Sequence, residues 1–130
     1  MAYEISNYTL KITLEAGADL SAAQYKFVKI SSGKAILCSG ATDIPIGVLQ
    51  NSPVSGGEAS ILVAGGTKLV AGAAINAGVV IGTSAAGKAD AKVAGTDTTE
   101  YAVGVVILAS GADNDILTAV VNCASPTRAA

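Results

Sequence analysis

The chain has 130 residues, with 8 basic and 10 acidic side chains, a formal net charge of −2 and no histidine. That length suits one domain, able to bury roughly two-thirds of its unfolded surface. The scattered charges make no patch able to displace counterions from nucleic acid, and every apolar stretch is interrupted before it could span a bilayer, so neither nucleic acid nor membrane is an expected partner.

The first residues, "MAYEISNY", carry no core stripe and precede the first alternating strand, which predicts an extended N-terminal arm over 1–8. They also lack a basic segment followed by an apolar one, so no secretory signal is expected and synthesis in a cytoplasm follows. "TLKITLEAG" then alternates, with Leu10, Ile12 and Leu14 on one face and Thr9, Lys11 and Thr13 on the other, the period of a half-buried strand. "YKFVKISSGKAILCSG" reads as a hairpin turning at Ser31-Ser32-Gly33, and "IPIGVLQNSP" as a strand closed by Asn51, Ser52 and Pro53. "GGEASILVAGGTKLVAG" gives a strand, a Gly65-Gly66 turn or bulge, and a second short strand. "AGAAINAG", residues 71–78, is the one place where a short helical turn is expected.

"GVVIGTSAAGKADAKVAG" and "EYAVGVVILASGADNDILTAVVN" are two further hairpins, and "ASPTRAA", 124–130, is expected to fray. Two stretches contest this reading: Leu20, Ala23, Phe27 and Ile30 fall at helical spacing, as do Ile116, Ala119, Val120 and Cys123. Both are β-branched where most apolar and both adjoin turns, which favours strands. The fold class is therefore all-β, a small compact β-barrel or β-sandwich spanning 9–123, with short hairpins and at most one helical turn. "IPIGVLQ" and "YAVGVVILA" echo each other, placing Gly47 and Gly104 at comparable corners, since a glycine inside an apolar strand marks a bulge or a close backbone approach.

The apolar residues include 25 alanines but only one Phe, four Tyr and no Trp, so Ala, Val, Ile and Leu make up most of them. Without large aromatics such a core is thin, and contacts between subunits would stabilise it. Cys38 and Cys123 are far apart in sequence and form no C-x-x-C unit; reduced, buried thiols are the expectation, with a disulfide left open only if the fold brings their Cβ atoms together.

Catalytic chemistry finds little footing. "GTSAAGKA", 82–89, nearly matches the phosphate loop G-x-x-x-x-G-K-[ST], but Ala89 stands where a hydroxyl would hold magnesium and no helix follows Lys88 to present its amides. It reads better as a hairpin tip with Gly87 at positive φ. With no histidine, the commonest general base and metal ligand are missing. Ser31, Ser32 and Lys34 are turn residues, and Asp113 to Asp115 lack the later Gly and Glu of a calcium loop. Neither catalytic nor cofactor-binding nor metal-binding residues are assigned: no enzyme, no cofactor and no small-molecule substrate are expected.

One resemblance rests on ordered motifs across roughly Ala16 to Asn122. "IPIGVLQNSPVSGGEASILVAGGTKLVAGAAINAGVVIGTSAAGKA" followed by "YAVGVVILASGADNDILTAVVN" resembles the small capsid cement, or head decoration, proteins of tailed bacteriophages. Two features depart from that pattern: Val79 stands after Gly78 where an acidic residue is expected, and "VVILASGAD" has lost a helix-like A-x-x-A. The resemblance implies a structural virion protein made in the host bacterial cytoplasm. It would bind the outer surface of the assembled head, often as a homotrimer on the major capsid protein, with the N-terminal arm lying across the neighbouring shell. On this view Tyr3, Glu4, Ile5 and Tyr8 contact the capsid, tyrosine being an effective interface anchor, although both tyrosines also suit an ordinary strand. The alternative is a phage tail or surface accessory domain recognising a host receptor; the absence of Trp weighs against a glycan platform.

Overall fold

Short β-branched segments separated by glycine turns leave the chain little choice but strands, and in the computed structural model, which describes residues 9–130, all eleven regular elements are strands. They are β1 (Leu10–Glu15), β2 (Phe27–Ser31), β3 (Lys34–Leu37), β4 (Gly47–Leu49), β5 (Glu58–Val70), β6 (Val80–Thr83), β7 (Ala89–Ala91), β8 (Tyr101–Ala102), β9 (Gly104–Leu108), β10 (Ile116–Asn122) and β11 (Thr127–Arg128). The main sheet is antiparallel in the order β3-β2-β4-β5-β10-β9-β6-β7, with β1 also paired to β5; β11 and β8 form a separate two-stranded sheet. The all-β class is thus as the alternation required.

β5 organises the molecule. It runs unbroken for 13 residues, so Gly65-Gly66 is an irregularity within one strand and not a turn between two. Gly65 has φ 130°, closed to ordinary side chains, and a Cβ there would lie 2.9 Å from Thr9 Cγ2. The first part of β5 pairs with β1 and β4, and its second part with β10.

The two parts of the chain repeat one pattern around this strand. In the first, Val28 pairs with Gly47 and Val48 with Leu62; in the second, Ile81 pairs with Gly104 and Val105 with Val120. Ile12 opposite Ile61 matches Thr67 opposite Ala119. Parallel bridges Ala16–Ala35 and Ala71–Ala89 curl each part on itself, and the next amide closes each the same way, Gly17 N to Ala35 O at 2.8 Å and Gly72 N to Ala89 O at 2.9 Å. Leu20 N bonds Pro53 O as Ile75 N bonds Ser110 O, and Cys38 N bonds Phe27 O as Lys92 N bonds Val80 O. The short echo between "IPIGVLQ" and "YAVGVVILA" is therefore one corner of an internal duplication that leaves out only β8 and β11, with Gly47 and Gly104 in equivalent places.

Two apolar clusters follow from this arrangement. The smaller fills the first part with Leu20, Val28, Leu49 and Ile61 among others. The larger combines second-part residues such as Leu69, Ile81, Val106 and Leu117 with Phe27, Val48 and Leu62 from the first. The single phenylalanine is fully buried where the two parts meet, at 0% exposure.

Two expectations give way. "AGAAINAG" holds no helical turn: Ile75, the residue it buries deepest after Ala71, forms an antiparallel bridge with Ser110, and Ser110 Oγ accepts from Ile75 N at 3.0 Å while donating to Ala73 O at 2.9 Å. Extended pairing with a distant segment outcompetes one turn of helix, which would fix several residues for a single hydrogen bond. The C-terminal segment does not simply fray either: Thr127 and Arg128 pair with Ala102 and Tyr101, and Ala129 N bonds Glu100 O at 3.0 Å. Of the two stretches at helical spacing, Ile116–Asn122 is strand throughout, whereas only Phe27–Ser31 of the other is; Leu20 and Ala23 belong to turns, the Ala23 amide bonding Leu20 O at 3.0 Å.

Candidate interaction surface

The hairpin that mimics a phosphate loop is built as a turn. Thr83 pairs with Ala89 across its base, Ser84 N bonds Lys88 O at 2.9 Å, and Gly87 has φ 72°. Lys88 does not face an open cradle, because its Nζ pairs with Asp113 at 2.9 Å. Gly87 instead packs on the first part: its carbonyl accepts the Phe27 amide at 2.7 Å, and a Cβ at this position would meet Leu37 Cδ1 at 2.5 Å.

The other groups weighed for chemistry are also held by neighbours. Lys34 lies 3.4 Å from Glu15, with both side chains about half exposed. Asp115 accepts from Gly111 N at 3.0 Å, closing the polar turn before β10. Asp43, not singled out in the sequence, accepts from Lys29 Nζ at 2.8 Å and from the Ser39 and Gly40 amides. Partial burial pushes its carboxyl up, but these donors outweigh that and hold it below the ordinary value. Both cysteines are buried with free thiols. Desolvation pushes each up to about 12, helped at Cys123 by proximity to Cys38 and opposed at Cys38 by a hydrogen bond with Thr83. Among the described residues there is no pocket, and no group of three metal-ligating side chains.

What the described surface does offer is apolar. Val80, Val105 and Val120 face one another in register across β6, β9 and β10, and are 40%, 39% and 50% exposed. A register shift between Thr118 and Ala119 makes room for both Ile107 and Leu108 beside them, 49% and 64% exposed. Ile116, half exposed, extends the patch along β10, while Gly66, opposite Val120, adds bare backbone. Scattered exposed aliphatics are ordinary, whereas several together on one sheet face make this the candidate contact surface. The uninterrupted run Val105-Val106-Ile107-Leu108 was the available sign, because a strand with one wet face should alternate.

The arm residues Tyr3, Glu4, Ile5 and Tyr8 lie outside the described residues. Thr9, against Gly65, marks where the arm would join the fold, one residue along β5 from the Gly66–Val120 end of the apolar row.

No protein-family model matches the chain, and no curated protein matches it. Among solved structures it is similar to the head fiber gp8.5 N base of bacteriophage phi29, with a TM-score of 0.65 and 16% identity over 89% of this chain and 96% of that one. At that identity the likeness establishes a shared fold, and nearly the whole of each chain takes part in it.

Proposed function

We propose that this chain is a structural protein of a bacteriophage particle, which binds the outside of the assembled head and cements the shell. The observation that carries the reading is the whole-length fold shared with a phage head fiber base, joined to the motif order of head decoration proteins. In this reading the protein acts as a homotrimer on the major capsid protein, and its chemistry is contact, with no catalytic step. Tyr3, Glu4, Ile5 and Tyr8 belong to an arm that reaches the neighbouring shell. Stabilisation works by mass action: a protein that binds the expanded shell and not its precursor lowers the free energy of the expanded form by an amount that grows with occupancy.

The test is co-sedimentation of the purified protein with expanded and unexpanded empty heads of the phage that encodes it. Saturable binding to expanded heads alone is expected. Attachment to host cells with no binding to either head would move the protein to the receptor-recognition reading.

A further inference from the structure

We propose that copies of this chain associate head to tail, the Ser31–Lys34 turn of one copy seating on the Val80–Val105–Val120 row of the next. The internal duplication supplies this contact whether or not the protein belongs to a virion. Phe27, Val48 and Leu62 pair across β2, β4 and β5 just as Val80, Val105 and Val120 pair across β6, β9 and β10. The first trio is at most 2% exposed, because the second part of the chain covers it; its counterpart is 39–50% exposed. One chain therefore carries the same kind of surface twice and covers it once.

What covers the first trio identifies the partner for the second. The cover includes the β6–β7 turn, whose Gly87 carbonyl accepts the Phe27 amide at 2.7 Å. The equivalent turn in the first part is β2–β3, where Gly33 precedes Lys34 as Gly87 precedes Lys88, with φ 75° against 72°. Gly87 is buried against Leu37 and Phe27, whereas a Cβ at Gly33 would meet nothing within 4 Å. Each copy so presents one unoccupied turn and one uncovered row, matched to each other by a joint that the chain already makes internally. A turn and a row on different parts of the molecule form a heterologous contact, which closes into a ring when the rotation permits; the trimer proposed above would be such a ring.

The experiment uses two single variants, Ser32→Cys and Val80→Cys, mixed under mild oxidation. Cys38 and Cys123 are buried and do not compete in the folded protein. A mixed dimer with its disulfide between positions 32 and 80 is expected to exceed either homodimer about tenfold, the excess set by specific proximity over random collision. Homodimers of the Val80→Cys variant in excess would mean that the rows face each other, and would overturn the head-to-tail contact. A second readout is sedimentation of the unmodified chain up to about 1 mM, where even a weak contact of −4 kcal/mol is half formed. Concentration-dependent association is expected, and Val105→Asp and Val120→Glu, both at exposed positions, should abolish it while leaving the melting temperature nearly unchanged. A strictly monomeric chain across that range, or association unaffected by both substitutions, defeats the proposal.

Discussion

Lys92 Nζ lies 2.6 Å from Glu100 Oε1 and 3.2 Å from Asp90 Oδ2, with none of its own side chain exposed. It occupies the place in the second part that Cys38 holds in the first, so a thiol has been exchanged for an ammonium that must be paired. Removing one member of a buried pair strands the other and costs about 3–5 kcal/mol. Glu100 retains 17% exposure, so Lys92→Ala should fall at the lower end of that range in urea denaturation. The double change Lys92→Met with Glu100→Gln should recover most of the loss, because the methionine refills the space of the lysine stem without a charge.

Gly47 and Gly104 should fail in the same way. A Cβ at Gly47 would run into the Leu62 carbonyl oxygen, and one at Gly104 would come 2.6 Å from the Val120 carbonyl oxygen. These are backbone atoms that cannot rotate away. Gly47→Ala and Gly104→Ala are each expected to lose about 1–3 kcal/mol by strain, read as a lower denaturation midpoint, whereas Gly66→Ala, which meets nothing within 4 Å, should be close to neutral.

The thiols make stability fall at alkaline pH. In the unfolded chain they ionise near their ordinary 9.0, while in the folded chain burial holds both protonated up to about 12. Their contribution is complete below pH 9 and is lost as pH rises from there through 12. A thiol reagent at pH 8 should label neither cysteine in the native protein and both in denaturant. The melting temperature should drop more between pH 8 and 10.5 than in a Cys38→Ala/Cys123→Ala variant.

Asp43 acts at the opposite end of the scale. Its folded carboxyl titrates below the ordinary 3.8, so its contribution is present above that value and disappears as pH falls through the lower, folded one. Asp43→Asn should cost about 1–3 kcal/mol at pH 7, the range for a hydrogen bond to a charged group. It should also flatten the acid limb of the stability curve below pH 4.

The proposed arm should be separable by deletion. Removing residues 2–7 takes away a segment with no core stripe in its sequence, so the melting temperature of the domain should hardly move. Attachment to expanded heads should weaken by roughly 1–3 kcal/mol if Tyr3 is an ordinary anchor. Unchanged head binding would take the arm out of the interface.

The strands were legible wherever one face is wet. β1 alternates in the sequence, whereas β10, "ILTAVVN", alternates only in its burial. The glycine turns were legible too, because Gly33 and Gly87 both require positive φ. The duplication was read only at Gly47 and Gly104, although "AGA" recurs at 16–18 and 71–73 and "GKA" at 33–35 and 87–89. Such three-residue repeats are too short to stand out, and elsewhere the two parts share backbone register without side-chain identity: Ile12 is matched by Thr67, and Cys38 by Lys92. The uncovered row escaped notice for a related reason. Val80, Val105 and Val120 look like core residues by type, and it takes their exposure in the folded chain to show that they lack the cover that Phe27, Val48 and Leu62 have. The short pairing of the C-terminal segment was invisible, because two residues of strand leave no periodicity to read.

The midpoint of this chain lies inside its longest strand. Ala64 pairs with Leu10 on one side of the joint and with Asn122 on the other, so no cut at the boundary of the duplication yields two intact pieces. Either piece alone would lose a strand of its curl, and the second would also uncover the apolar cluster that Phe27, Val48 and Leu62 complete. The molecule should accordingly melt in one step, despite being two copies of a pattern, and a load applied to one part should be borne by both through a single continuous backbone.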